Sequence, residues 1–342
     1  MTSTTSLFAP VDNDLRLLTE NLKKLVGARH RLLEAAAEHL FEAGGKRIRP
    51  AIVLLVSRAT MLDREITQRH RRLAEITEMI HTASLVHDDV IDEAELRRNV
   101  PTVHSIFGNQ VAVLAGDFLF AQASWYLANL DNLEVVKLLS EVIRDYAEGE
   151  IQQAMNRFNT NLSIDAYLEK SYYKTASLIA NSSKAAALLS DVSPEVAEQL
   201  YMYGRDLGLA FQIFDDILDF TTETKILGKP AGSDLISGNI TAPALYAMEE
   251  KPYLEVLIER EFSQEGDIEQ ALSLVRESNG IERSRELAIE RAKLAVQHLS
   301  CLKPSQSFDS LAELTDYAVS RLYGSIDRLY LYFSAKGDRF WL

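Results

Sequence analysis

The strongest constraint on this chain is the spacing of its apolar residues, which recur at three and four over nearly the whole length and never in sustained alternation. From Leu73 the series Ile76, Met79, Ile80, Ala83, Val86, His87 and Val90 fits one helical face. From Leu207, Ala210, Phe211, Phe214, Ile217 and Leu218 fit another. Similar patterns run through residues 15–25, 30–43, 133–155, 164–189, 196–218, 268–276, 281–302 and 311–322. Only 15 glycines and 8 prolines punctuate 342 residues, and no pair of β-branched runs flanks a hairpin turn. The spacing predicts an all-α fold of roughly ten or more helices. Residues 111–130 are apolar nearly all round and are assigned to the centre of the bundle. The long irregular stretch 221–243, with its glycines and prolines, reads as a functional loop. No repeat and no composition break marks a linker, so one large helical domain is expected.

Charge and cysteine content exclude several classes. A formal net charge of −14 disfavours nucleic acid as the partner. The single cysteine, Cys301, forbids an internal disulfide and the paired-cysteine metal sites. Even the richest apolar run, 111–130, is interrupted by Asp117, so no transmembrane segment is expected. The N-terminus shows neither a basic region nor an apolar core of the signal-peptide kind. These features point to a soluble protein of a reducing compartment, cytoplasmic in the simplest case.

The chemistry lies in two acidic segments. In HTASLVHDDVIDEAELRR (81–98), Asp88 and Asp92 stand four apart on one face, with Asp89 beside them. In FQIFDDILDF (211–220), Gln212, Asp215, Asp216 and Asp219 form one polar stripe on a helix otherwise made of Phe, Ile and Leu. A solvated acidic surface explains one such cluster; it does not explain a second one in apolar surroundings. If the two helices face each other, like charges ~4 Å apart repel by about 4 kcal/mol at an effective dielectric near 20. Such a site raises carboxylate pKa values or admits cations. Oxygen-only donors favour a hard ion, and Mg²⁺, held by a few carboxylates plus phosphates and water, fits best. An EF-hand is excluded by the absent loop glycine. A di-iron bundle is excluded because Glu78-x-x-His81 has no second copy.

Basic residues adjoin these clusters: Lys46, Arg47 and Arg49 in GGKRIRP, then Arg97, Arg98, Lys174 and Lys229. Guanidinium and ammonium groups beside Mg²⁺-type carboxylates describe a diphosphate site. No Walker loop and no protein nucleophile set is present.

GGKRIRP, LVHDDVIDEAELRRNVPTVH, GDFLF, KT, FQIFDDILDF and GKPAGSDL together resemble the trans-isoprenyl diphosphate synthase (polyprenyl synthetase) family, most closely its cyanobacterial and plastid solanesyl-type members. The resemblance spans about residues 7–323. It implies a single helical bundle of the isoprenoid synthase type with a central active-site cavity, formed by residues 1–323, with 324–342 as an extension. It further implies Mg²⁺-dependent, sequential condensation of isopentenyl diphosphate onto an allylic diphosphate, a homodimer, and product delivery to a membrane as a quinone side chain. Asp88, Asp92 and Asp215, with Asp89, Asp216 and Asp219, then form the catalytic and metal-binding set. Lys46, Arg49, His81 and Arg98 bind isopentenyl diphosphate, and Arg97, Lys174, Thr175, Gln212 and Lys229 contact the allylic substrate. One departure is Asn239, where many members carry a lysine. The alternatives are a shorter-chain, geranylgeranyl-type enzyme, a terpene cyclase, a non-catalytic partner subunit and a binding-only metal bundle.

Helix geometry adds an expectation about product length. Ser84 and Ala83, four and five residues before Asp88, are small, so nothing bulky closes the path of a growing tail. From Asp88 back to Leu73 is about 22 Å of helix. That length flanks roughly five isoprene units of ~4.5–5 Å each.

Overall fold

The computed structural model describes residues 7–26, 31–42, 46–62, 64–97, 100–221 and 231–320. The chain forms two compact units, each drawn from three separated segments. The first comprises Met1–Ile143, Leu178–Tyr201 and Leu299–Leu311; the second comprises Arg144–Ser177, Met202–His298 and Ala312–Leu342.

The first unit opens with α1 (Asp12–Val26), α2 (Arg31–Glu42), α3 (Ile48–Met61) and α4 (Gln68–Ile91). In α3 every residue from Pro50 to Met61 except Arg58 is buried. Helix α4 starts at a capping box in which the Thr67 N–H donates to His70 Nδ1 at 3.1 Å. His70 Nε2 lies 3.1 Å from Ser190 Oγ. Burial, then the charge of Arg69, lowers the His70 pKa to about 4, so the ring caps the helix as a neutral acceptor.

After α4 come β1 (Leu96–Arg97) and β2 (Val100–Pro101), antiparallel, with Arg97 opposite Val100. Two-residue strands are too short to leave an alternating pattern, which is why the sequence reading contains no strand pair. Next are α5 (Val103–Phe107), α6 (Asn109–Ala128) and α7 (Leu133–Met155).

Helix α6 corrects the sequence expectation. Only one face is buried, formed by Ala112, Ala115, Gly116, Leu119, Ala123 and Leu127. Val113, Leu114 and Trp125 are 41 %, 50 % and 60 % exposed, so within this unit α3, not α6, is the enclosed helix. By length and composition α6 could also cross a membrane, although only 33 % of its most apolar stretch is buried. Its buried face meets α4 closely. A Cβ on Gly116 would come within 2.2 Å of His87 Nε2, which explains the glycine of GDFLF.

In the second unit, α8 (Ile164–Ser171) begins at Ser163, whose hydroxyl accepts from the Ala166 N–H at 3.1 Å. The single helix expected over 164–189 is interrupted by a π-helical turn, Tyr172–Ala176, before α9 (Ser177–Leu189). Gly208 makes room for that turn: a Cβ there would lie 2.6 Å from Ala176 Cα. The remaining helices are α10 (Pro194–Thr221), α11 (Ser233–Ile236), α12 (Ala242–Glu250), α13 (Tyr253–Glu259), α14 (Asp267–Glu277), α15 (Gly280–His298) and α16 (Gln306–Val319). Tyr167, Ile213, Phe214, Ile217, Phe220, Leu254, Leu257 and Val275 form the core that seats α10. Residues 324–342, and 222–230 of the loop anticipated over 221–243, lie outside the described residues; the rest of that stretch is not irregular throughout, because it holds α11 and the start of α12.

Candidate active site

Each unit carries one aspartate motif. In the first, Asp88 and Asp89 occupy the last turn of α4 and are buried, and Asp92 caps the helix with its N–H on the Asp88 carbonyl at 2.8 Å. Beyond it the chain turns back: the Ala94 N–H donates to the Asp89 carbonyl at 2.9 Å, and Glu93 takes a left-handed φ of 52°. That turn delivers β1, and from it Arg97 donates to a single Asp89 oxygen through Nε at 2.8 Å and Nη2 at 2.7 Å. Asp89 is thereby the anchor of Arg97.

The GGKRIRP segment meets the same helix from α3. Arg47, left-handed at φ 50°, precedes α3 and pairs with buried Glu78. Arg49 Nη1 donates to His81 Nε2 at 3.0 Å. A guanidinium has only donors, so His81 accepts at Nε2 and carries its proton on Nδ1. The Glu78-x-x-His81 spacing, weighed above as a di-iron motif, thus holds two arginines. Lys46 is exposed; Arg98 lies outside the described residues. Ala83 is fully buried, and the partly buried Ser84 turns its hydroxyl onto the His81 carbonyl at 2.9 Å.

The second motif lies on α10. Asp215 is half-buried, while Asp216 and Asp219 are buried. Asp216 accepts from Tyr167 Oη at 2.6 Å and Gln212 Nε2 at 2.9 Å, and Gln212 in turn accepts from Thr175 Oγ1 at 2.6 Å. Burial, followed by the charge of Asp234, pushes the Asp216 pKa up to about 7, against the hydrogen bonds and the charge of Lys170. Asp219 holds the start of α11 through Ser233 Oγ at 3.0 Å and the Asp234 N–H at 3.2 Å. Lys174, on the π-turn with Thr175, reaches Glu150 at 3.1 Å and Gln153 at 3.3 Å. π-turns recur at functional sites because the extra residue re-aims side chains. Lys229 lies outside the described residues. Sequence reasoning missed Tyr167, Lys170 and Asp234. A tyrosine, lysine or aspartate at those spacings carries no mark of the partner it will meet.

No group of three or more His, Cys, Asp or Glu side chains among the described residues forms a metal cage by itself. The donors at the motifs are carboxylate oxygens. That set suits Mg²⁺, which keeps waters and substrate phosphates in its shell and needs few protein ligands.

The sequence pattern of the polyprenyl synthetase family matches residues 30–275. A prenyl transferase of Synechocystis is 75 % identical over 323 residues, which are 94 % of this chain and 100 % of the relative. The chloroplastic solanesyl diphosphate synthase 2 of Arabidopsis thaliana is 54 % identical, covering 93 % of this chain and 77 % of that protein. Among solved structures, a polyprenyl synthase from Caulobacter crescentus complexed with calcium and isoprenyl diphosphate aligns at a TM-score of 0.86 with 36 % identity, over 93 % of this chain and 98 % of that one. The all-α fold is that of the isoprenyl diphosphate synthases. This chain belongs to the polyprenyl synthetase family and is a prenyltransferase.

Proposed function

We propose that this prenyltransferase is a long-chain, solanesyl-type all-trans polyprenyl diphosphate synthase, adding isopentenyl diphosphate units in sequence to an allylic diphosphate. The observation that carries this reading is the set of cations each aspartate motif keeps beside it: Arg97 on Asp89, and Lys174 on the π-turn beside the Thr175–Gln212–Asp216 chain. The 54 % identity to a solanesyl diphosphate synthase supports the product class.

In this reading Asp88, Asp92 and Asp215 hold Mg²⁺. Bound Mg²⁺ neutralises the diphosphate as it leaves. Asp89, Asp216 and Asp219 keep Arg97, Gln212 and the chain at Ser233 in place. Arg97, Lys174, Thr175, Gln212 and Lys229 grip the allylic diphosphate, so its C–O bond can ionise to an allylic cation. Lys46, Arg49, His81 and Arg98 hold isopentenyl diphosphate with its double bond toward that cation. Attack forms the new C–C bond, and loss of a proton restores a double bond. Residues 1–323 serve as the synthase domain. The enzyme acts in the cytoplasm, or in the stroma if plastid-encoded, and passes its product to a membrane as a quinone side chain.

The exposed apolar face of α6, with Val113, Leu114 and Trp125, is read as the contact for a second copy of the chain rather than a membrane span. Incubation with Mg²⁺, labelled isopentenyl diphosphate and an allylic diphosphate tests the reading. Elongated diphosphates that disappear with EDTA are expected. A cyclic hydrocarbon, or no incorporation, contradicts it.

A further inference from the structure

Lys170, the one lysine of α8, is buried to 8 % exposure in the second unit, and no role above uses it. Its ammonium donates to Asn239 Oδ1, and no carboxylate of the described residues pairs with it within 4.0 Å. Burying an ammonium costs several kcal/mol, a cost that a direct ion pair offsets best. Here the partner is a neutral amide, which fixes the ammonium and leaves its charge in place. The amide is itself held: the Asn239 N–H donates to the Asp234 carbonyl at 2.8 Å, and the preceding Gly238 carbonyl accepts from the Phe158 N–H at 2.9 Å.

The surroundings are those of the second motif. Lys170 Nζ stands 5.8 Å from the centre of the Tyr167 ring, whose hydroxyl donates to Asp216. Burial lowers the pKa of Lys170, the charges of Asp216, Asp234 and Glu150 raise it, and Lys174, about one turn on, lowers it. Of the two lysines, Lys174 pairs with Glu150 at 3.1 Å, whereas Lys170 has no carboxylate of the described residues within 4.0 Å.

We propose that Lys170 is a diphosphate-binding residue, whose ammonium, aimed by Asn239, adds positive charge for the diphosphate taken up at the second aspartate motif. This rests on the diphosphate reading of that motif given above.

Calorimetric titration of the full chain with inorganic diphosphate and Mg²⁺ tests it without turnover. In Lys170→Gln the Kd should rise roughly tenfold to a hundredfold. The KM for the allylic diphosphate should rise with it, and that for isopentenyl diphosphate should stay unchanged. Asn239→Asp neutralises the ammonium without removing it, so it should weaken diphosphate binding while the melting temperature holds or rises. Lys170→Gln combined with Asn239→Lys should recover most of the affinity. Unchanged Kd in both single variants, or an equal rise in both KM values, overturns the proposal. A wild type that binds diphosphate in a Lys170-dependent way yet elongates nothing contradicts the synthase reading and leaves this one standing.

Discussion

At the scale of single residues, the carboxylates divide by what they touch. Asp89, Asp216 and Asp219 hold Arg97, Tyr167 with Gln212, and Ser233, respectively. Asp88 and Asp215 are assigned to the metal. Asp88→Ala or Asp215→Ala should therefore lower kcat by about three orders of magnitude, since each ~1.36 kcal/mol of lost transition-state stabilisation is tenfold in rate. Circular dichroism should stay helical. Asp216 carries a pH signature of its own. Its pKa, raised from 3.8 to about 7, means the folded protein binds a proton there that the unfolded chain releases. The associated stability is present below about pH 4 and is lost as pH rises through about 7. In EDTA, Asp216→Asn should thus gain melting temperature relative to wild type as pH climbs across that window. A gap that stays constant with pH argues against the buried-acid assignment. The acidic stripes were legible because carboxylates stand out on apolar helices. Arg97's tie to Asp89 was not, because it depends on a four-residue strand pair that no pattern announces.

At the scale of elements, the 3.6-residue period located most of the long helices but not α3, whose apolar residues run almost without interruption, nor the short α5, α11, α12 and α13. It failed where hydropathy and position diverge. Helix α6 is apolar all round, which a sequence cannot distinguish from a helix enclosed by its own chain. The exposed Leu114 and Trp125 suit a face covered by another copy. Leu114→Glu with Trp125→Glu should convert a dimer to a monomer in analytical ultracentrifugation. A wild type that sediments as a monomer contradicts that assignment. The π-turn at Tyr172–Ala176 was equally hidden, because one extra residue per turn barely disturbs an apolar pattern. Gly208 shows the constraint, since any side chain there meets Ala176 and would push Thr175 off Gln212. Gly208→Val should raise the KM for the allylic diphosphate far more than that for isopentenyl diphosphate; equal effects on both would count against the turn as an allylic subsite.

At the scale of the whole molecule, the two units interleave along the chain, so no linker or composition break marks them. Local composition reports contacts within an element, not which distant segments share a core. The all-α class and the family were legible even so, because they rest on helical spacing and on motif order. Product length is the property that draws on the most residues at once. Ala83 is fully buried and Ser84 beside it partly so; in the proposed reading both lie along the path of the growing tail, where a large side chain would stop it. Liquid chromatography with mass spectrometry of products made with Mg²⁺ by the wild type and by Ala83→Phe tests the central claim most directly. The account predicts wild-type chains longer than the roughly five units that α4 alone can flank, and markedly shorter chains, with turnover retained, from the variant. Wild-type products that stop at geranylgeranyl length, or the same distribution from both proteins, would contradict it.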